Sequence, residues 1–128
     1  MTEFKTQHEM SCARFVKTYS ANFGAAGTQS NAVFVDGQAP IRFLIPGTWA
    51  STATDIRITV SDDNVTYYPL WTTSNTAYTI PGNAGKAEQL GINTFVGGNY
   101  VRLHSTTVRG TAVPQTVSCT VKIIAKLI

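Results

Sequence analysis

From Ser30 onward, short apolar runs alternate with turn signals, the period of half-buried strands rather than of helices. Residues 32–35 (Ala-Val-Phe-Val) run into the turn pair Asp36-Gly37, and residues 41–45 (Ile-Arg-Phe-Leu-Ile) are stopped by Pro46-Gly47. Residues 55–60 place Ile56, Ile58 and Val60 on one face and Asp55, Arg57 and Thr59 on the other. Residues 61–64 (Ser-Asp-Asp-Asn) predict a tight turn, because Asp and Asn tolerate the left-handed conformation. Residues 65–71 are expected to run back as the second arm of a hairpin, and residues 77–80 stop at Pro81-Gly82. Residues 84–90 have weak helical character and read as a connection, followed by a short strand within 91–96 and a Gly97-Gly98-Asn99 turn. In residues 100–104, Val101 and Leu103 face opposite to Tyr100, Arg102 and His104, and 105–114 read as a polar loop. The last run is the longest: Val117, Cys119, Val121, Ile123, Ala125 and Leu127 share a face opposite Ser118, Thr120, Lys122 and Lys126. The pattern predicts an all-β fold, an antiparallel sandwich or jelly roll of about eight strands.

The first 20 residues follow another rule. Phe4, His8, Cys12, Phe15, Val16 and Tyr19 recur at three- and four-residue steps, which fits a short helix, although an extended reading through Phe4, Thr6, His8 and Met10 stays open. Residues 21–29 are small, polar and Gly-rich, as linkers are. The expected organisation is therefore an N-terminal arm and linker over 1–29 and a β-sandwich domain over 30–128.

Composition narrows the function. Only 17 of 128 residues are charged and the net charge is +3, while 43% are hydrophobic. Nineteen threonines stand against five lysines, so uncharged hydroxyls take the place that charge holds on an average surface. The normal apolar fraction argues against disorder, and the Thr, Val, Ile and aromatic content against a helical bundle. Lysines and arginines are scattered singly rather than clustered on one element, which argues against nucleic acid as a partner. No apolar run approaches a membrane span, and the N-terminus, with Glu3, Lys5, His8 and Glu9, lacks the apolar core of a signal peptide. Cytoplasmic synthesis is expected, with Cys12 and Cys119 as free thiols.

His104 and Cys119 fall on opposite strand faces and are expected to point apart, so they do not suggest a nucleophile and its base. His8 and Cys12 have helical ligand spacing but no further ligand to complete a zinc site. The Asp62-Asp63-Asn64 run lacks the glycine and the glutamate of a calcium loop, with Tyr67 and Thr73 at those places. No pair of carboxylates stands out for glycoside hydrolysis, and no glycine loop has a phosphate-binding fingerprint. The expectation is a protein without catalytic residues, cofactor or metal. The aromatics are the remaining candidates: Trp49, Tyr67, Tyr68, Trp71, Tyr78 and Tyr100 suit either sugar stacking or packing and subunit contact. Trp49, Tyr68 and Trp71 are the candidates for exposed contacts.

Residues 39–49 (APIRFLIPGTW) and 55–68 (DIRITVSDDNVTYY) form a longer pattern. A strand ends in a Pro-x-x-Trp corner, the next closes in Ser-x-Asp followed by a left-handed residue, and a Thr-Tyr run follows. This resembles small β-sandwich virion proteins of tailed bacteriophages. Asn64 stands where that family usually has Gly, a mild departure because Asn also accepts positive φ. The later Asn99-Tyr100-Val101-Arg102-Leu103 and the terminal strand fit the same order, while residues 1–20 fall outside it.

The resemblance implies a non-enzymatic capsid decoration (cement) protein on the head surface of the virion. Its implied partners are the major capsid protein and further copies of itself, arranged as a homotrimer. The alternative it implies is a tail- or baseplate-associated module, or a host-glycan-binding β-sandwich. In the decoration reading the arm orders on contact and stitches neighbouring subunits, with Phe4, Met10, Phe15 and Tyr19 as the expected partner-binding residues.

Overall fold

A computed structural model describes residues 16–90 and 98–127, which form nine β-strands and no helix. They are β1 (Val16–Phe23), β2 (Val33–Phe34), β3 (Ala39–Leu44), β4 (Asp55–Ser61), β5 (Tyr68–Pro69), β6 (Thr79–Pro81), β7 (Ala87–Gln89), β8 (Tyr100–Thr106) and β9 (Cys119–Lys126). Two antiparallel sheets result. One has the order β1-β9-β3-β7, and the other the order β2-β8-β4-β5, with β6 pairing farther along the same β4.

The inward faces are those that the alternation predicts. Ile56 and Ile58 of β4, Val101 and Leu103 of β8, and Val121 and Ile123 of β9 are all buried, as are Phe23 of β1 and Phe43 of β3. They join in one core between the sheets. Fully burying a side chain of this size stabilises the fold by about 1.5–3 kcal/mol. The terminal strand is shorter than its apolar pattern: pairing starts at Cys119, and Val117 and Leu127 are exposed at 47% and 44%.

The N-terminal organisation differs from the expectation. Residues 16–20 are not helical arm, nor are 21–23 linker. All eight residues of β1 pair in register with β9, from Val16 opposite Lys126 to Phe23 opposite Cys119. Pairing imposes period two, which sends Ala21 and Phe23 inward and overrides the three- and four-residue spacing. Tyr19 is therefore a sheet residue, its hydroxyl donating to Gln38 Oε1 at 3.0 Å.

The loop after β1 is likewise tied to the body. Ala26 N donates to the Gln115 carbonyl, Gln115 N to the Gly27 carbonyl and Ser105 N to the Thr28 carbonyl. The described sandwich thus takes in β1 and the loop that follows it, from Val16 onward. Phe4, Met10, Phe15, His8 and Cys12 lie outside the described residues, as does the strand expected within 91–96.

Two further expectations change. Residues 84–90 hold a strand rather than a helical turn, because β7 completes the edge of β3 through Arg42–Gln89 and Leu44–Ala87 pairing. Residues 65–71 are not a continuous return strand; only Tyr68–Pro69 pairs with β4.

The predicted turns form with the expected chemistry. Asp36 and Gly37 have φ of 52° and 72°, and Gln38 N bonds the Val35 carbonyl at 2.9 Å, a type I′ geometry. Asn64 adopts φ 59°, and the Asp63 carboxylate accepts from the backbone N–H groups of Val65 and Thr66 at 2.9 and 3.0 Å.

Candidate functional site

Strand pairing builds the site from the outward face of the β4–β8 pair. Arg57 sits opposite His104 and Thr59 opposite Arg102, so all four side chains project from the same face, away from the core. Thr59 Oγ1 and His104 Nε2 are 2.9 Å apart. Burial, with a further push from the charge of Arg102, holds His104 below its ordinary value of 6.5, so the imidazole is neutral at pH 7. The Arg102 guanidinium lies over the Tyr67 ring, 5.0 Å from its centroid, and its buried Nε has no hydrogen-bond partner among the described residues.

One wall comes from the excursion between β5 and β6. Leu70 N donates to the Ile58 carbonyl at 2.9 Å, Tyr78 N to the Leu70 carbonyl at 2.9 Å and Thr72 N to the Thr76 carbonyl at 2.8 Å. This small hairpin, bridged between Trp71 and Ala77, holds out the Trp71 indole, which stays 54% exposed, with Tyr78 half-buried nearby.

The opposite wall is the turn after β8, closed by Thr107 N to the Thr111 carbonyl at 2.8 Å. Arg57 Nη2 donates to the Val108 carbonyl of that turn at 3.3 Å. Gly110, at φ 88°, lies over the guanidinium so closely that a Cβ there would stand 2.7 Å from the Arg57 guanidinium carbon. Between the two walls lies an open groove of about 310 Å³ that contains no carboxylate among its lining residues.

Of the candidate contact aromatics, Trp71 lines this groove. Tyr68 is 65% exposed but lines a separate recess, beside Asp63 and the 61–66 turn. Trp49 is not available to any partner. It is 3% exposed, its ring stands edge-on to Phe23 at 5.1 Å, and its Nε1 donates to the Ala53 carbonyl at 2.8 Å. The corner at residues 46–49 turns the indole into the core because Trp49 N closes back on the Pro46 carbonyl at 3.2 Å.

Sequence reasoning missed the grouping of Arg57, Thr59 and His104. The signal was present in the alternation of β4 and β8, but only the pairing register says which outward residues become neighbours.

No nucleophile and base meet in the described residues. Cys119 is a free thiol in the core, its pKa pushed up by burial, while His104 faces outward from the other sheet. Among the described residues no group of three or more His, Cys, Asp or Glu side chains could hold a metal ion, and no helix is long and apolar enough to cross a membrane.

No protein-family model and no curated protein matches the sequence. Solved structures similar to it at low sequence identity include the following two. The SPBc2 prophage-derived protein YomS has a TM-score of 0.49 and 19% identity, over 86% of this chain and 93% of that one. CBM32-1 from a family 31 glycoside hydrolase of Clostridium perfringens has a TM-score of 0.49 and 14% identity, over 85% of this chain and 76% of that one.

Proposed function

We propose that the protein is a non-enzymatic structural component of a bacteriophage virion, a decoration protein that binds the outside of the head and stabilises it. The observation that supports this reading is the pattern in residues 39–49 and 55–68, which resembles small β-sandwich virion proteins. Its parts follow one another along the chain and link the two sheets: β3 lies in one sheet and β4 in the other, with the buried Trp49 corner between them and the turn capped by Asp63 after β4. In this reading the partners are the major capsid protein and two further copies of the same chain in a homotrimer, and the activity is additive binding rather than chemistry.

The position of β1 fits such a role. It is the outer strand of its sheet, and its first half is largely exposed, so the chain preceding Val16 joins the sandwich at a sheet edge. The arm candidates Phe4, Met10 and Phe15 precede that edge. The expected outcome is that full-length protein cosediments saturably with heads lacking it and protects them from heat. Removal of residues 1–15 should abolish cosedimentation while circular dichroism stays that of a β-sandwich. Normal coating by the truncated chain would assign shell binding to the sandwich instead. Cosedimentation with tails but not heads would place the protein at the tail.

A further inference from the structure

The groove over β4 and β8 combines three features that the decoration reading does not use. Trp71 holds more than half of its surface in solvent on a hydrogen-bonded hairpin, so its ring is open to a partner in the groove. Arg57 lies partly buried at the groove floor with a buried Nε that has no hydrogen-bond partner. Of the five N–H donors of its guanidinium, one is used, on the Val108 carbonyl, and no ion pair satisfies its charge among the described residues. Thr59 and His104 stand beside it with hydroxyl and imidazole groups coupled to each other.

The chemistry of this lining is one-sided. The groove has no acidic or amide side chain to take the protons of sugar hydroxyls, its side-chain acceptors being hydroxyls and the imidazole. It offers instead a cationic fork, a hydroxyl, an imidazole and an aromatic plate. A guanidinium fork matches a carboxylate in bidentate geometry, and partial desolvation at the floor strengthens that pairing. An exposed indole takes the apolar face of a pyranose ring. The volume of about 310 Å³ is at the small end of ligand pockets, suited to one or two sugar units rather than to a long chain lying along the sheet.

We propose that this groove binds an acidic saccharide of the uronic acid type. Trp71 stacks on the ring, Arg57 pairs with the sugar carboxylate, and Thr59 with His104 orients a ring hydroxyl. The role is independent of head binding through the N-terminal residues, so the protein would carry a sugar-binding surface on the virion while attached to it.

The test is a titration of the full-length protein with galacturonic acid oligosaccharides, followed by tryptophan fluorescence and calorimetry. Galactose oligosaccharides of equal length and inorganic phosphate serve as comparison probes. Because Trp49 is buried and Trp71 exposed, a ligand-induced change in emission reports on the groove. The expected result is saturable binding of the acidic oligosaccharide, weaker by about 10- to 100-fold for the neutral one, the weight of a charge-assisted hydrogen bond. Trp71→Ala and Arg57→Gln should each weaken it by about ten-fold or more. Since Arg57 also holds the 107–111 turn, Thr59→Val provides a second floor variant, and circular dichroism checks each fold. Equal binding of neutral and acidic sugars, binding of phosphate alone, no binding of the acidic sugar, or indifference to Trp71→Ala would each overturn the proposal. None of these outcomes bears on head cosedimentation, which tests the decoration reading by itself.

Discussion

A single polar side chain ties three parts of this fold together. Gln115 is 1% exposed, yet its Oε1 accepts from Ala50 N at 2.9 Å and its Nε2 donates to Ser105 Oγ at 2.8 Å. Its backbone holds the loop after β1 through Ala26 N and the Gly27 carbonyl. A buried amide satisfied at both ends adds little on balance, but removing it strands its partners without water. Gln115→Leu keeps the volume approximately and leaves the Ala50 N–H and the Ser105 hydroxyl unpaired. We expect a loss of about 2–6 kcal/mol in urea unfolding, the sum of two stranded groups at about 1–3 kcal/mol each. A loss below about 0.5 kcal/mol, the range of ordinary surface changes, would show that the loops close without it. Nothing in the sequence marks Gln115, which lies between the 105–114 loop and the run that begins at Val117. Its importance arises only when three distant segments converge.

At the scale of elements, legibility follows the strength of local alternation. β4, β8 and β9 each bury one face along most of their length, and their inward residues could be read from the chain because one face meets the core and the other water. β1 and β7 escaped because they are edge strands. Four of the first five residues of β1 are exposed, so the alternation that would mark a strand is erased where no core demands it. The same holds for the groove. Arg57, Thr59 and His104 were placed correctly on outward faces, but their convergence depends on a cross-strand register that one strand alone does not encode.

The Trp49 corner shows the opposite case, where one element constrains another at short range. Gly82, just past β6, donates its N–H to the Thr54 carbonyl at 2.8 Å. A Cβ there would lie 2.3 Å from the Ala53 carbonyl and 2.7 Å from Trp49 Nε1. Gly82→Ala should therefore push the indole off the Ala53 carbonyl, costing about 1–3 kcal/mol as other overpacked sites do, and shift the emission of Trp49 to the red. Gly47, in the same corner but with open space around its Cβ position, is the control: Gly47→Ala should change stability by no more than about 0.5 kcal/mol. If the two variants behave alike, close approach of β6 to the corner is not what requires glycine at 82.

Taken as a whole, the molecule has so few charges that its stability should respond to acid at few points, and the structure says where. His104 is held below its ordinary value of 6.5, first by burial and then by Arg102. The folded state thus resists a proton that the unfolded chain accepts. Stability is complete above 6.5 and declines as pH falls from there through the folded-state value, because the unfolded form gains protons first. Asp63 acts with the same sign at lower pH. The N–H groups of Thr66 and Val65, with the Ser61 hydroxyl, hold its carboxyl below 3.8, so its contribution persists until acid reaches the carboxylate range. Two separated declines are expected in a plot of unfolding midpoint against pH. Replacing His104 by Gln, which keeps a polar group facing Thr59 but takes up no proton, should flatten the upper decline and leave the lower one in place. An upper decline that survives in His104→Gln would mean that the imidazole is not its source.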